Sequence, residues 1–260
     1  MSDALFQKEI EHRYGPNIHI LDDPYMRTLL AELCMPATMQ PRLNWLLQSL
    51  YEGLLRACIN NEFPQKTRSV RTRMGAEYRG VLLDAVTEVV TVDIARAGIK
   101  PSLACFELLS TVLDPAGVRQ DHVIMNRVTN EAGAVTGAAI SGTKVGGPVE
   151  GRIVLFPDPM GATGSSLAEV VRWYREHAEG RPAGLISLNL IVTPEFLKRM
   201  AEQEPDLRVY AYRVDRGLSP PDVLAMVPGE AWDREHGLDE HDYIVPGAGG
   251  LGEVLNNALR

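Results

Sequence analysis

The chain has 260 residues with 26 Lys or Arg against 34 Asp or Glu, a formal net charge of −8, and 45% hydrophobic residues, enough for a sizeable core. The acidic balance argues against a protein that coats nucleic acid, which needs a basic face, yet it leaves room for a small anion held by a few local donors. Cys34, Cys58 and Cys105 lie far apart with no CxxC pair and read as reduced thiols. The N-terminus carries acids and no apolar leader core, and no run approaches the roughly 20 apolar residues of a membrane helix. The expectation is therefore a soluble, cytoplasmic protein with no nucleic-acid or membrane partner.

Two helical patterns open the chain, one near Asp23 to Leu33 and one from about Gln40 to Ala57. The second carries Leu43, Leu46, Leu47, Leu50, Leu54 and Leu55 on a single stripe. Thr67 to Arg73 holds three arginines at close spacing and reads as a solvated connector, with an anionic effector as the alternative. From Gly80 strands and helices alternate: strand Val89–Ala95, helix Pro101–Leu113, strand His122–Met125, strand Ile153–Phe156, helix Ser165–His177, strand Leu185–Val192, helix Pro194–Glu202 and strand Leu207–Tyr212. Near-continuously apolar strands separated by helices predict a parallel sheet covered on both faces. The organisation expected is a helical extension over 1–79 packed on a core domain over 80–260, forming a single compact unit.

Between those strands lies a Gly-rich segment, Ala132 to Gly151, read as a mobile loop or an irregular hairpin. A polar, acidic insertion spans Ser219 to Asp242. Its two histidines among acids match no familiar metal spacing, so a solvated loop is the preferred reading over a metal site.

One stretch points to chemistry. After the apolar run Val154-Leu155-Phe156-Pro157 come Asp158, Pro159, Met160, Gly161, Ala162, Thr163, Gly164, Ser165 and Ser166, and then a helix with Leu167, Val170, Val171 and Tyr174 on one face. In an open α/β sheet, ligands bind beyond the carboxyl ends of the strands. A helix N-terminus there offers free N–H groups and positive potential to a phosphate. Thr163, Ser165 and Ser166 add hydroxyls, and Asp158 suits sugar hydroxyls, so the pattern suggests a phosphorylated ribose. An ordinary turn with a capping Asp or Ser is the plainer alternative, but a cap alone does not need the whole string. The stretch is neither a Walker loop nor GxGxxG.

PDPMGATGSS resembles the ribose-phosphate loop of the type I phosphoribosyltransferases, and its single acid followed by Pro-Met resembles the uracil phosphoribosyltransferase family in particular. Three further stretches agree in order: Ile94–Ile99 resembles the pyrophosphate loop "LRAGL", Val214–Leu218 resembles "IDQGL", and Tyr243–Gly249 resembles the uracil-site "YIxPGxG". The resemblance covers roughly residues 80 to 250. It implies a Rossmann-like type I phosphoribosyltransferase fold with a flexible hood loop. It also implies transfer of phosphoribose from phosphoribosyl diphosphate to uracil, giving UMP and diphosphate in pyrimidine salvage. Arg96 and Arg127 would meet the pyrophosphate, and Lys144 would be a further phosphate contact. Asp158 through Ser166 would hold ribose and 5′-phosphate, with Asp158 joining the two arginines as catalytic residues. Ile244, Gly249, Gly250 and Leu251 would frame the base, largely through backbone groups. Mg²⁺ is the implied cofactor, held mainly by the diphosphate and not by named side chains, and a homodimer or higher oligomer is implied.

The base end departs from the family's "PGxGDxGD". Gly250 and Glu253 stand where that pattern has aspartates, and Leu251 stands where a smaller residue is usual. Those departures keep two alternatives open: a phosphoribosyltransferase for another nucleobase, or a non-catalytic relative that binds donor or nucleotide in a regulatory role.

Overall fold

The computed structural model describes residues 8–129 and 135–258, with side chains outside 127–138. Strand β1 (Ile18–Ile20) precedes helices α1 (Pro24–Leu33) and α2 (Arg42–Glu62). Strands β2 (Gln65–Arg71) and β3 (Glu77–Leu83) form an antiparallel hairpin of their own. There follow β4 (Val89–Ala95), α3 (Ile99–Val112), β5 (Val118–Thr129), β6 (Val135–Lys144), β7 (Ile153–Pro157), β8 (Met160–Gly161) and α4 (Ser165–His177). The chain continues through β9 (Gly184–Val192), α5 (Pro194–Gln203), β10 (Leu207–Val214), α6 (Pro221–Leu224) and α7 (Leu251–Leu255).

The main sheet runs β1-β10-β9-β7-β4-β5-β6, with β8 added to β9. All its pairings are parallel except β5 with β6. Side chains that alternate along β4 separate two layers. Val90, Val92 and Ile94 pack with Leu167, Val170, Val171 and Tyr174 of α4 and Phe196, Leu197 and Met200 of α5. On the other face Val89 joins α1, α2 and α3. The expected α/β architecture with both faces covered is what forms.

The leucine stripe of α2 is fully buried, from Leu43 at 0% exposure to Leu55 at 0%. It packs within the chain against Leu188 and Leu190 of β9 and Tyr210 of β10. Burying each such leucine contributes about 1.5–3 kcal/mol. Helix α1 starts where Asp23 accepts the Met26 N–H at 3.1 Å with Pro24 at its first position, a capping arrangement that the sequence carries openly.

Several elements differ from expectation. The arginine-rich Thr67–Arg73, read as a solvated connector, is exposed throughout but belongs to the β2–β3 hairpin. The expected boundary at 79/80 falls inside β3. Of the two readings of the Gly-rich segment, the irregular hairpin forms: β6 pairs with β5 from Val135 to Lys144 with two register shifts. Ala132 and Gly133 lie outside the described residues. Strand β5 is twelve residues long, not four, because β6 gives its polar half a partner.

Candidate active site

Strands β4, β7 and β10 deliver three loops to one end of the sheet, their carboxyl end. In the loop after β7, each carbonyl is held by a donor from within the protein. Asn189 Nδ2 donates to the Asp158 carbonyl at 2.7 Å, and the Leu190 and Ile191 amides donate to that of Pro159, both at 3.1 Å. The Thr193 amide donates to Gly161 O at 3.0 Å and its Oγ1 to Ala162 O at 2.6 Å. Arg199 Nε donates to Thr163 O at 2.6 Å.

With its carbonyls fixed inward, the loop turns into α4, whose first amides have no intrahelical acceptor. Thr163 Oγ1 and Ser165 Oγ lie 2.9 Å apart, and Thr163 Oγ1 accepts the Ser165 N–H at 3.3 Å. Gly164 turns the chain with φ +76° in the left-handed region; a Cβ there would stand 2.9 Å from Met200 Cε. Left-handed backbone and close packing together call for glycine. The result is a concentration of N–H and O–H donors at a positive helix end, the arrangement that binds phosphate.

Asp158 begins this loop half-buried, and its Oδ1 accepts the Met160 N–H at 3.3 Å. Loss of water around the carboxyl pushes its pKa up to about 6, an effect the Met160 amide partly opposes. It is the acceptor of the loop beside many donors.

After β4 the chain turns through a cis Ala95–Arg96 peptide. The Gly98 N–H donates to Ile94 O at 3.0 Å, which tightens the turn, and α3 starts immediately afterwards. The Arg96 side chain is half exposed and lies 3.4 Å from Glu253 Oε1 on α7. Arg127 lies on β5 opposite Ala138, beyond the Ala95–Ile124 pairing that marks the end of β4. Lys144 is in register with His122, level with Asp93, at the other end of the β5–β6 hairpin from Arg127.

The third loop, after β10 and the acidic insertion, is anchored by a buried carboxylate. Asp215, 2% exposed, receives Arg213 through two bonds at 2.6 and 2.8 Å. The same carboxylate accepts the Gly247 N–H at 2.8 Å, and Arg213 Nη2 donates to Gly247 O at 3.3 Å. Gly217 N donates to Val245 O at 3.0 Å. Ile244 and Leu251 point into the α1–α3 core at 8% and 3% exposure. The Leu251 side chain, larger than is usual at that position of the family pattern, is accommodated in that core.

Sequence reasoning singled out all three loops but missed the groups that hold them. Thr193-Pro194 carries a recognisable cap signature, and Thr193 Oγ1 also accepts the Phe196 N–H at 3.0 Å. Asn189, inside an apolar strand, is a buried polar residue that must find partners, and that was a usable signal. Arg199 gave none. Within the acidic insertion, Glu235 is buried, accepting from Tyr14 Oη at 2.5 Å and Arg216 Nη1 at 2.8 Å. Among the described residues no group of three or more His, Cys, Asp or Glu is placed to hold a metal.

A family model described as uracil phosphoribosyltransferase matches residues 20–257. A uracil phosphoribosyltransferase of Variovorax paradoxus is 25% identical over 92% of this chain and 97% of that protein. Uracil phosphoribosyltransferase 1 of Schizosaccharomyces pombe is 27% identical over 75% of this chain and 74% of its own. The uracil phosphoribosyltransferase of Thermococcus sibiricus is 34% identical, but the match spans only 35% of that protein and 32% of this chain. Among solved structures, the AQ2163 protein of Aquifex aeolicus superposes with a TM-score of 0.69 at 25% identity, covering 92% of this chain and 97% of that one.

Proposed function

We propose, from the premise that the chain belongs to the uracil phosphoribosyltransferase family, that it is a pentosyltransferase converting uracil and phosphoribosyl diphosphate to UMP and diphosphate. The observation that carries this reading is the Asp158–Ser166 loop: its carbonyls are tied inward by Asn189, Thr193 and Arg199, and its donors are left at the start of α4.

In the reaction a base nitrogen bonds to ribose C1 as the bond from C1 to the diphosphate oxygen breaks, its electron pair leaving with the diphosphate. Positive charge develops on the sugar and negative charge on the leaving group, so the protein's tasks are positioning and electrostatics. The loop and the first turn of α4 hold the 5′-phosphate. Asp158 accepts from the ribose hydroxyls. Arg96, exposed beside the end of β4, takes leaving-group charge through charge-assisted bonds, with Arg127 of β5 as its proposed companion. The loop around Gly247–Gly250, anchored by Asp215, offers backbone groups to the base. Asp158 is a hard oxygen group that would suit a Mg²⁺ carried on the diphosphate, where the ion would offset leaving-group charge.

The protein is proposed to act as a homo-oligomer. The β2–β3 hairpin leaves Val70, Met74, Tyr78 and Val81 exposed, and a two-stranded hairpin is marginal unless something covers it. Lys66, Arg68, Arg71, Arg73 and Arg79 make the hairpin basic on a chain of net charge −8, so a second copy is its natural cover. Cys58 and Cys105 are buried free thiols, which suits the reducing cytoplasm as its location.

The deciding experiment is product chromatography after incubating the protein with Mg²⁺, phosphoribosyl diphosphate and uracil. UMP formed in equal amount to diphosphate supports the reading. Turnover with a different nucleobase, or donor binding without turnover, overturns the assignment of uracil.

A further inference from the structure

The base-end loop and the diphosphate loop meet through one ionic contact. Glu253 on α7 brings Oε1 to 3.4 Å from Arg96 Nη2. Its other oxygen lies over Gly250, where a Cβ would stand 2.7 Å from Oε2. Alongside, Gly252 approaches Ala97, a Cβ on the glycine standing 3.5 Å from the alanine's own. The backbone of Gly250, φ −75° and ψ 70°, is not left-handed. A side chain at position 250 would have to displace the carboxylate above it.

The pair is a poor device for stability. Arg96 is 54% and Glu253 41% exposed, and exposed pairs contribute little. A glutamate at the third position of a helix commonly reaches back to cap it. Here the Glu253 carboxylate is engaged by a side chain of a different loop, the one that carries the leaving-group arginine.

The geometry points to Glu253 as a positioning residue that holds Arg96 in the absence of diphosphate and competes with diphosphate for it. This rests on the transferase reading above. An arginine meets phosphate oxygens through paired, charge-assisted donors, which outweigh a single contact at 3.4 Å, so an arriving diphosphate takes Arg96 from Glu253. The displaced carboxylate then lies beside the anion and repels it. After transfer, its return to Arg96 favours diphosphate departure. No covalent bond changes in this exchange.

The test is calorimetric titration of wild type, E253Q, G250A and the double variant with Mg²⁺-diphosphate. Glutamine keeps the length and capping ability of Glu253 but not its charge, and alanine at 250 pushes the carboxylate off Arg96 by contact. Both single variants are expected to bind diphosphate about two- to fivefold more tightly, the range an exposed ion pair sustains. The double variant binds no more tightly than E253Q, because both changes remove the same contact. The gain shrinks at about 0.5 M salt, where exposed charges are screened. In steady state, E253Q shows stronger product inhibition by diphosphate at an unchanged KM for uracil.

Unchanged or weaker diphosphate binding in E253Q overturns the inference, as do additive effects in the double variant. A purely capping Glu253 leaves the affinity where it was. Wild type that binds no diphosphate overturns the transferase reading together with this one, whereas normal wild-type binding that the substitutions leave untouched overturns this one alone.

Discussion

Replacing Asp158 by asparagine is expected to stabilise the protein while disabling it. The carboxyl is half-buried beside the Met160 amide, and desolvation raises its pKa from 3.8 to about 6. That shift of about two units corresponds to about 3 kcal/mol held against the folded state when the group is ionised, at about 1.4 kcal/mol per unit, and partial exposure brings it nearer to 2. Because the folded-state value is the higher one, the folded protein binds the proton more tightly than the unfolded chain. The group's contribution is therefore most favourable below pH 4 and is lost as pH rises through about 6. Asparagine does not titrate and can still accept the Met160 N–H. D158N should melt about 4–8 °C above wild type at pH 7.5, since about 1 kcal/mol moves a chain of this size by about 2–4 °C. The difference should close as pH falls to 4. In the same variant kcat/KM should fall about ten- to a hundredfold, the worth of one or two hydrogen bonds to a charged acceptor. The acid limb of the wild-type pH–rate profile near 6 should also vanish. Thermal melts across pH 4–8 paired with initial rates measure both. A D158N protein that melts at or below wild type at neutral pH, by a margin independent of pH, refutes the desolvation argument.

Arg96→Gln should lower kcat/KM by about a hundredfold or more, the cost of removing a preorganised charge stabiliser, with the melting temperature unchanged because the side chain is half exposed; steady-state rates and a melt check both halves. Asn189→Ala strips the Asp158 carbonyl and the Ser187 hydroxyl of their partner in a fully buried place. It should cost about 1–3 kcal/mol in denaturant unfolding and raise the KM for the phosphoribosyl donor more than that for uracil. His122→Ala removes the partner, at 2.7 Å, of Asp93, a carboxylate 4% exposed whose Oδ1 already lacks a hydrogen bond. Burial raises the Asp93 pKa and His122 opposes the rise. The loss should therefore be about 1–3 kcal/mol at neutral pH and should diminish in acid as Asp93 takes up its proton, read from unfolding curves at several pH values.

The parts of this molecule that followed from sequence are those whose cause is local. Helix α4 begins at Ser165 and ends at His177, as its stripe and the preceding Gly-Ala-Thr-Gly string indicate. Strand β4 is a largely apolar run broken by Thr91 and Asp93, strand β7 is an apolar run closed by Pro157, and both fall where expected. What escaped was nonlocal. Strand β1 is three residues long and exists because β10 pairs with it from nearly 200 residues away. The hairpin β2–β3 has no apolar alternation, since both of its faces are largely exposed, and so lacks the signal that marks a half-buried strand. In the site, the residues proposed to face the ligand form contiguous strings, while Asn189, Thr193, Arg199 and Arg213 act from other elements. Gly250 read in sequence as a carboxylate lost; in three dimensions Glu253 fills the space above it.

The inward ties of the Asp158–Ser166 carbonyls have a consequence for how binding proceeds in time. Loop ordering has been met during folding, through contacts from β9 and α5 that exist whether or not an anion is near. A phosphate arriving there finds its donors already aimed and need not wait for a rearrangement. Ribose 5-phosphate alone should therefore associate in a single kinetic phase whose rate grows linearly with concentration. Any slower, saturating phase seen with the whole donor then reports its diphosphate end, where Arg96 must exchange one partner for another.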